Sequence, residues 1–407
     1  METTADPDAL GFVPERLSYI PGYLKDKYIK SGKLKNFQLT IGRRDDVALF
    51  AQGGIARDDG TPVAADTLYR IASMTKPITS IAFMQLVERG LVALDDPVHR
   101  FLPEFKEVGV YKGGGGGAVP FLTRAPDAPM RMIDLMRHTS GLTYGFQNRS
   151  NIDLAHRERK IENWHGNHDL DSYVAELASL PLEFSPGDAW NYSVSTDVVG
   201  AIVQRVSGQK LDAYFAEHIL RPLGMKDTFF SVPKKKLDRL GDCWTWNPKA
   251  PLLTDRAENS VWGKKPKLLS GGGGLVSTSA DYLRFCRMLL GKGTLDDVRI
   301  VGRKTIDLMT RNHLPGGGDL TKHSRALFSE AQNAGTGFGL GFAITEDVAK
   351  TMIPGSQGEY YWGGMYSTAF LVDPVEELTM VFMSQLQPSN IYPIRRELKT
   401  LIYSALA

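Results

Sequence analysis

Between Pro77 and Val87 the chain offers almost no polar face. Ile78, Ile81, Ala82, Phe83, Met84, Leu86 and Val87 cover most of a helical circumference. A helix of that kind must lie at the centre of a sizeable core, with other layers packed around it. Pro77 is tolerated in its first turn, and Gly90 predicts its stop. At 407 residues, 42% hydrophobic and 23% charged, the chain can surround such an element in one large domain or two lobes.

Strand signals occur at both ends. Phe37, Leu39 and Ile41 alternate with polar residues, and Arg43-Arg44-Asp45-Asp46 turns into Val47 to Ala51, a hairpin pattern. Late in the chain, Gly337 to Ile344, Thr368 to Val372 and Leu378 to Met383 read as extended, the last two joined by a turn at Asp373-Pro374. Helical patterns fill the middle: Met132 to Arg137, Ser172 to Ser179, Asp197 to Val206 and Leu211 to Ile219. Arg16 to Ser31 and the segment from Ile394 to Ile402 also read as helices, the first kinked or shortened by Pro21. The five-glycine run Gly113 to Gly117 reads as a flexible surface loop. The pattern predicts one sheet built from both ends of the chain (1–95 and 265–407), with a helical lobe (96–264) inserted and a cleft between them.

Charge and cysteine content exclude several classes. Net charge is +2, from 48 basic and 46 acidic residues with no face-sized basic block, which argues against a nucleic-acid partner. No apolar run of about 18 residues is present, so no membrane span is expected. The acidic start, Met1 to Asp6, lacks the pattern of a secretory signal. Cys243 and Cys286 are too few for a disulfide framework and read as buried thiols in a reducing compartment. The expected location is the cytoplasm.

Ser73-Met74-Thr75-Lys76 puts a serine and a lysine one helical turn apart, so the ammonium can reach the hydroxyl. A serine is a poor nucleophile until a base takes its proton, and a lysine can be that base only if burial depresses its pKa. The apolar helix supplies the burial. The spacing recurs at Ser207 to Lys210, where Gly208 fits a helix end, and at Ser231 to Lys234, beside a solvated lysine cluster. Only Ser73 joins an extended segment to a buried helix. Two further segments stand out: Asn191-Tyr192-Ser193 just before a helix, and Trp362-Gly363-Gly364-Met365 before a strand, where glycines allow close approach of a ligand.

Taken in order, Leu68 to Lys76, His138-Thr139-Ser140-Gly141-Leu142, Asn191-Tyr192-Ser193, Gly272 to Thr278 and Trp362-Gly363-Gly364 resemble the serine hydrolases of the β-lactamase and penicillin-binding type. The nearest resemblance is to class C β-lactamases and family VIII carboxylesterases. It implies an α/β (α+β sandwich) fold, with an antiparallel sheet flanked by helices and an inserted, mostly helical lobe. It further implies that Ser73 attacks an acyl carbonyl, Lys76 accepts its proton and Tyr192 relays protons. The N–H groups of Ser73 and Met365 would form the oxyanion hole. No metal or organic cofactor is required.

The sequence departs from class C enzymes at two places. Val194 stands where they carry an asparagine, and Trp362-Gly363-Gly364 replaces Lys-Thr-Gly. Loss of that lysine removes a cation that would pair with a β-lactam carboxylate. Trp362, Gly363, Gly364 and Val194 are expected to form an apolar substrate site, giving a carboxylesterase for short-chain neutral esters. The alternatives are a transacylase, a D-amino-acid peptidase or a weak β-lactamase on the same site, or a non-catalytic binding protein.

Other readings are bland. No Gly-x-Ser-x-Gly elbow exists to support a Ser-His-Asp hydrolase, and His138 is expected to hydrogen-bond structurally. His165, His168 and Asp169 lack metal-site spacing and read as a solvated loop. The glycines from Gly335 to Gly341 do not satisfy a dinucleotide fingerprint, and Gly271 to Gly274 suggests tight packing beside the cleft. Trp244, Trp246 and Trp262 either line the substrate entrance or simply pack.

Overall fold

In a computed structural model, residues 2–117, 119–325 and 334–407 are described. The alternation of Phe37, Leu39 and Ile41 becomes strand β1 (Asn36–Arg43), which reverses into β2 (Asp46–Gly54). Arg44, with φ 54°, makes the tight return. The late segments supply β3 (Thr336–Phe338), β4 (Ala343–Thr345), β5 (Tyr360–Gly364), β6 (Thr368–Asp373) and β7 (Leu378–Met383). These strands form one seven-stranded sheet in the order β3-β4-β5-β6-β7-β1-β2. Every neighbour is antiparallel, and Thr40 of β1 faces Val381 of β7, so the two ends of the chain meet in mid-sheet.

Period-two alternation divides the sheet's side chains between two cores. On one face Phe37, Leu39, Ile41, Leu371, Met380 and Phe382 pack with helices α1 (Pro14–Leu24) and α5 (Ile394–Ser404). On the other, Phe370, Val372, Val381 and Met383 join the larger core. That core contains α2 (Thr75–Glu88), α3 (Ser195–Ser207) and α4 (Ser279–Leu290). Helix α2 is buried continuously from Thr75 to Leu86 and packs against α3. Its apolar circumference is explained by neighbours on all sides.

Four local expectations change. The extended stretch from Gly337 to Ile344 is two strands, broken by a return at Gly341, whose φ is +100°. A Cβ on Gly341 would lie 2.3 Å from Ser80 Oγ, so the return also needs glycine to approach α2. The five-glycine run is not a free loop; it closes a hairpin between Val110–Gly114 and Phe121–Arg124, with positive φ at Gly114, Gly115 and Gly117. Helix α1 continues through Pro21 and ends in a wider turn over Lys25–Ile29. The sequence reading assigns no element to α4, whose start is capped by Thr278 accepting from Asp281 N at 3.2 Å. Among the described residues no helix is long and apolar enough to cross a membrane.

Candidate active site

Tyr69 and Arg70 pair antiparallel with Ser277 and Val276, and Ile71 N donates to Leu275 O at 3.0 Å. The chain then tightens into a single turn, Ala72–Met74, in which Ala72 is held at φ 42°. That left-handed alanine is a strained link between strand and helix, and it sets Ser73 at the apex before α2. The same strand pair leads the segment 271–275 onto the first turns of α2, where Thr79 Oγ1 donates to Gly271 O at 2.7 Å and Leu275 N donates to Thr75 Oγ1 at 3.2 Å.

Lys76 follows in the first turn of α2 and is 2% exposed. Its Nζ lies 2.7 Å from Gly272 O, 3.0 Å from Tyr144 Oη and 3.2 Å from Ser73 Oγ. A neutral amine has two N–H bonds and one lone pair. Donation to Gly272 O and Tyr144 Oη leaves that lone pair facing the serine hydroxyl. Burial pulls the Lys76 pKa down to about 7, against the opposing pull of the Asp197 carboxylate. Tyr192 Oη donates to Ser73 Oγ at 2.6 Å. Burial raises the tyrosine's pKa, so its phenol keeps its proton at neutral pH. The arrangement can therefore take a proton from Ser73 at Lys76 and offer one at Tyr192.

Residues that the sequence reading did not single out support this triad. Asp197, in the first turn of α3, accepts from Ser270 Oγ and from Gly272 N at 3.0 Å, which anchors the loop whose carbonyl meets Lys76. Burial pushes the Asp197 carboxyl above its ordinary value, with Lys76 opposing. Tyr144 lies two residues beyond the His-Thr-Ser-Gly-Leu segment, which is its only sequence signal. His138, at φ 59°, is a packing residue: Nδ1 lies 3.2 Å from Ser193 Oγ, and its ring centroid lies 5.0 Å from that of Tyr192.

Strand β5 ends beside the serine turn. A Cβ on Gly364 would sit 2.4 Å from Ile71 O, so only glycine lets the strand come this close. Met365 follows, 42% exposed, on the wall of the same cleft as Ser73. Among the described residues, neither the Ser73 N–H nor the Met365 N–H donates a backbone hydrogen bond. The cleft encloses about 950 Å³ and has Trp164, Trp262 and Tyr366 in its walls. Among the described residues no lysine or arginine lines it; its carboxylates are Glu162 and Asp255.

Two expected substrate contacts move elsewhere. Val194 is fully buried just ahead of α3, where its carbonyl accepts from Asp197 N at 2.9 Å; its side chain belongs to the core, not the cleft. Trp362 is 6% exposed and packs its ring 5.3 Å from Tyr192 and 5.5 Å from Phe338. It backs the tyrosine and lines an adjoining cavity, not the cleft wall that holds Ser73. Gly363 does reach the cleft wall. The three uncertain tryptophans divide: Trp262 lines the cleft, Trp244 is buried, and Trp246 lies at the surface. His165 stacks edge-on against Trp262 at 5.0 Å, and Asp169 caps the helix Leu170–Ala178. No group of three or more metal-ligating side chains gathers among the described residues.

Comparison with known proteins places this geometry in a lineage. The family model described as Beta-lactamase matches residues 25–403. Protein Rv1367c of Mycobacterium tuberculosis is 37% identical over 337 residues, covering 81% of this chain and 80% of its own. Esterase EstB of Burkholderia gladioli is 29% identical over 407 aligned residues, covering 93% of each chain. Among solved structures, EstCE1, a hydrolase with promiscuous acyltransferase activity, superposes with a TM-score of 0.81 at 23% identity, covering 96% of this chain and 99% of its own. A model match across nearly the whole length, joined to a relative of this identity, makes the chain a serine hydrolase of the β-lactamase family.

Proposed function

We propose that the protein is a carboxylesterase that hydrolyses short-chain neutral esters through an acyl-Ser73 intermediate. The observation that carries this reading is the Ser73 hydroxyl, 2.6 Å from the Tyr192 phenol and 3.2 Å from a buried Lys76 amine, opening onto a cleft that no lysine or arginine lines among the described residues. Lys76 accepts the serine proton as Oγ bonds to the acyl carbon. The carbonyl electrons move onto oxygen, which the Ser73 and Met365 N–H groups stabilise. Tyr192 gives its proton to the departing alkoxide and is re-protonated from Lys76. Water then repeats the sequence on the acyl-enzyme and releases the acid. Among the described residues no lysine or arginine lines this cleft to pair with a β-lactam carboxylate, whereas a neutral ester needs no such cation. Likeness to Esterase EstB along nearly the full length of both chains supports the same reading.

The test is hydrolysis of p-nitrophenyl acetate and butyrate beside nitrocefin, with intact-mass detection of the acyl-enzyme. Ester turnover with an acyl group on Ser73, lost in Ser73→Ala, is the expected result. Equal ester rates for wild type and Ser73→Ala would remove the nucleophile. Nitrocefin turnover exceeding that of the esters would move the substrate class to β-lactams.

A further inference from the structure

Helix α5 carries Arg395 to the strand end that presents Met365. Its Nη2 donates to Gly364 O at 2.9 Å and to Thr368 O at 2.6 Å, one carbonyl on each side of the β5–β6 return. Gly363 makes room for this contact, since a Cβ there would lie 2.3 Å from the guanidinium carbon. Gly364 C=O and Met365 N–H are the two ends of one planar peptide unit. A charged donor on the carbonyl oxygen fixes the plane of that unit. It also draws electron density towards the oxygen, which makes the N–H at the other end a stronger donor.

We infer that Arg395 is a positioning residue for the oxyanion hole: it orients and polarises the Gly364–Met365 peptide so that its N–H meets the oxygen that gains charge when Ser73 is acylated. The inference rests on the acyl-Ser73 reading. Arg395 keeps all its protons throughout, and the electron pair of the carbonyl moves onto an oxygen that never touches the guanidinium. Thr368 O, the second acceptor, ties the same cation to the far strand of the return, so the peptide cannot rotate without breaking its bond to a donor that is itself held in place. A cation that only stapled α5 to the sheet would do so equally well through any exposed carbonyl. This one engages the carbonyl whose peptide leads into Met365, on the wall of the cleft that holds Ser73.

The experiment compares wild type, Arg395→Met and Arg395→Gln for kcat and KM on p-nitrophenyl butyrate, for melting temperature, and for inhibition by benzeneboronic acid. The tetrahedral serine adduct of that acid fills the oxyanion position. In a folded Arg395→Met protein, kcat is expected to fall about 10- to 100-fold with KM little changed, and boronic acid affinity to fall by a similar factor. Arg395→Gln, which keeps a neutral donor, should lie between. A folded variant with kcat within about twofold of wild type overturns the inference, as does a kcat loss with boronic acid affinity unchanged, since a misdirected oxyanion donor weakens the transition state and its tetrahedral analogue together. If Arg395→Met does not fold, Arg395→Gln decides by the same two criteria. A fully active Ser73→Ala would instead remove the underlying reading. An inactive Ser73→Ala beside fully active Arg395 variants removes only the role of Arg395.

Discussion

Lys76 is an ordinary residue made unusual by where its helix lies. A solvated lysine near pKa 10.4 would be protonated at neutral pH and useless as a base. Burial brings this one to about 7, so its lone pair becomes available in the physiological range. The sign follows directly: below that pKa the amine is a cation and cannot take the serine proton, above it the base is free. We therefore expect kcat/KM for a neutral ester to rise with pH through about 7 and then level off. An acid limb near pH 10 in a pH–rate profile would rule this out. Lys76→Arg, always protonated, should lower kcat by about 10³-fold in the same assay. The Ser73–Lys76 pair and Tyr192 were legible because a helical spacing and an ordered set of segments pointed to them. Tyr144 and Asp197 were not, since Tyr144 lies 68 residues from Lys76 and meets it only through the fold. Val194 and Trp362 were misread because a position in a motif does not say which neighbours its side chain will find.

At the scale of elements, glycine has two unrelated meanings in this chain, and they predict opposite outcomes. The Trp-Gly-Gly strand is glycine because backbone must lie on backbone. In Gly364→Ala the new methyl would meet Ile71 O and Thr368 Oγ1, each at 2.4 Å, and a main-chain carbonyl two residues from Ser73 cannot yield without moving the nucleophile. Displacement of this size is expected to lower kcat about 10²-fold while the protein remains folded. Gly113 belongs to the five-glycine hairpin, has ordinary φ, and would present a methyl to open space. Gly113→Ala should leave kcat unchanged and stability within about 0.5 kcal/mol. Steady-state kinetics and urea melts on both variants check the pair; an active Gly364→Ala would dissolve the close-approach argument. The sequence separates these glycines, a loop at Gly113 to Gly117 and close approach at Gly363-Gly364, but it does not show that the group approaching Gly364 is the backbone at Ile71. Helix α4 was legible and was passed over: Tyr282, Phe285, Cys286 and Leu289 fall at i, i+3, i+4 and i+7 with Arg284 and Arg287 between them, which is the period of an amphipathic helix.

For the whole molecule, the sheet from both chain ends was readable because β1, β2, β6 and β7 each keep a strand pattern. One tie between the sheet and the segment 241–260 was not readable, because it is a single buried cation. Arg70, three residues before Ser73, has 0% side-chain exposure. Its guanidinium donates to Asp255 Oδ2, to Gly241 O at 2.7 Å, to Gln385 Oε1 at 3.0 Å and to Ser260 Oγ at 3.1 Å. These partners come from the segment 241–260 and from the chain just after β7, so one side chain holds three stretches together, these two and the base of the serine turn. Removing it leaves a carboxylate and several acceptors without their donor, and Asp255, at 27% exposure, is only partly rescued by water. Arg70→Met should therefore cost about 3 kcal/mol in urea unfolding, the lower end of what breaking a buried pair costs. It should also reduce esterase activity, because Asp255 stands in the cleft wall. Lys30→Met, which breaks a pair exposed to 75% and 67%, should cost no more than about 0.5 kcal/mol. Similar losses for the two variants would mean that Arg70 is a bystander and that apolar packing alone holds the three stretches together.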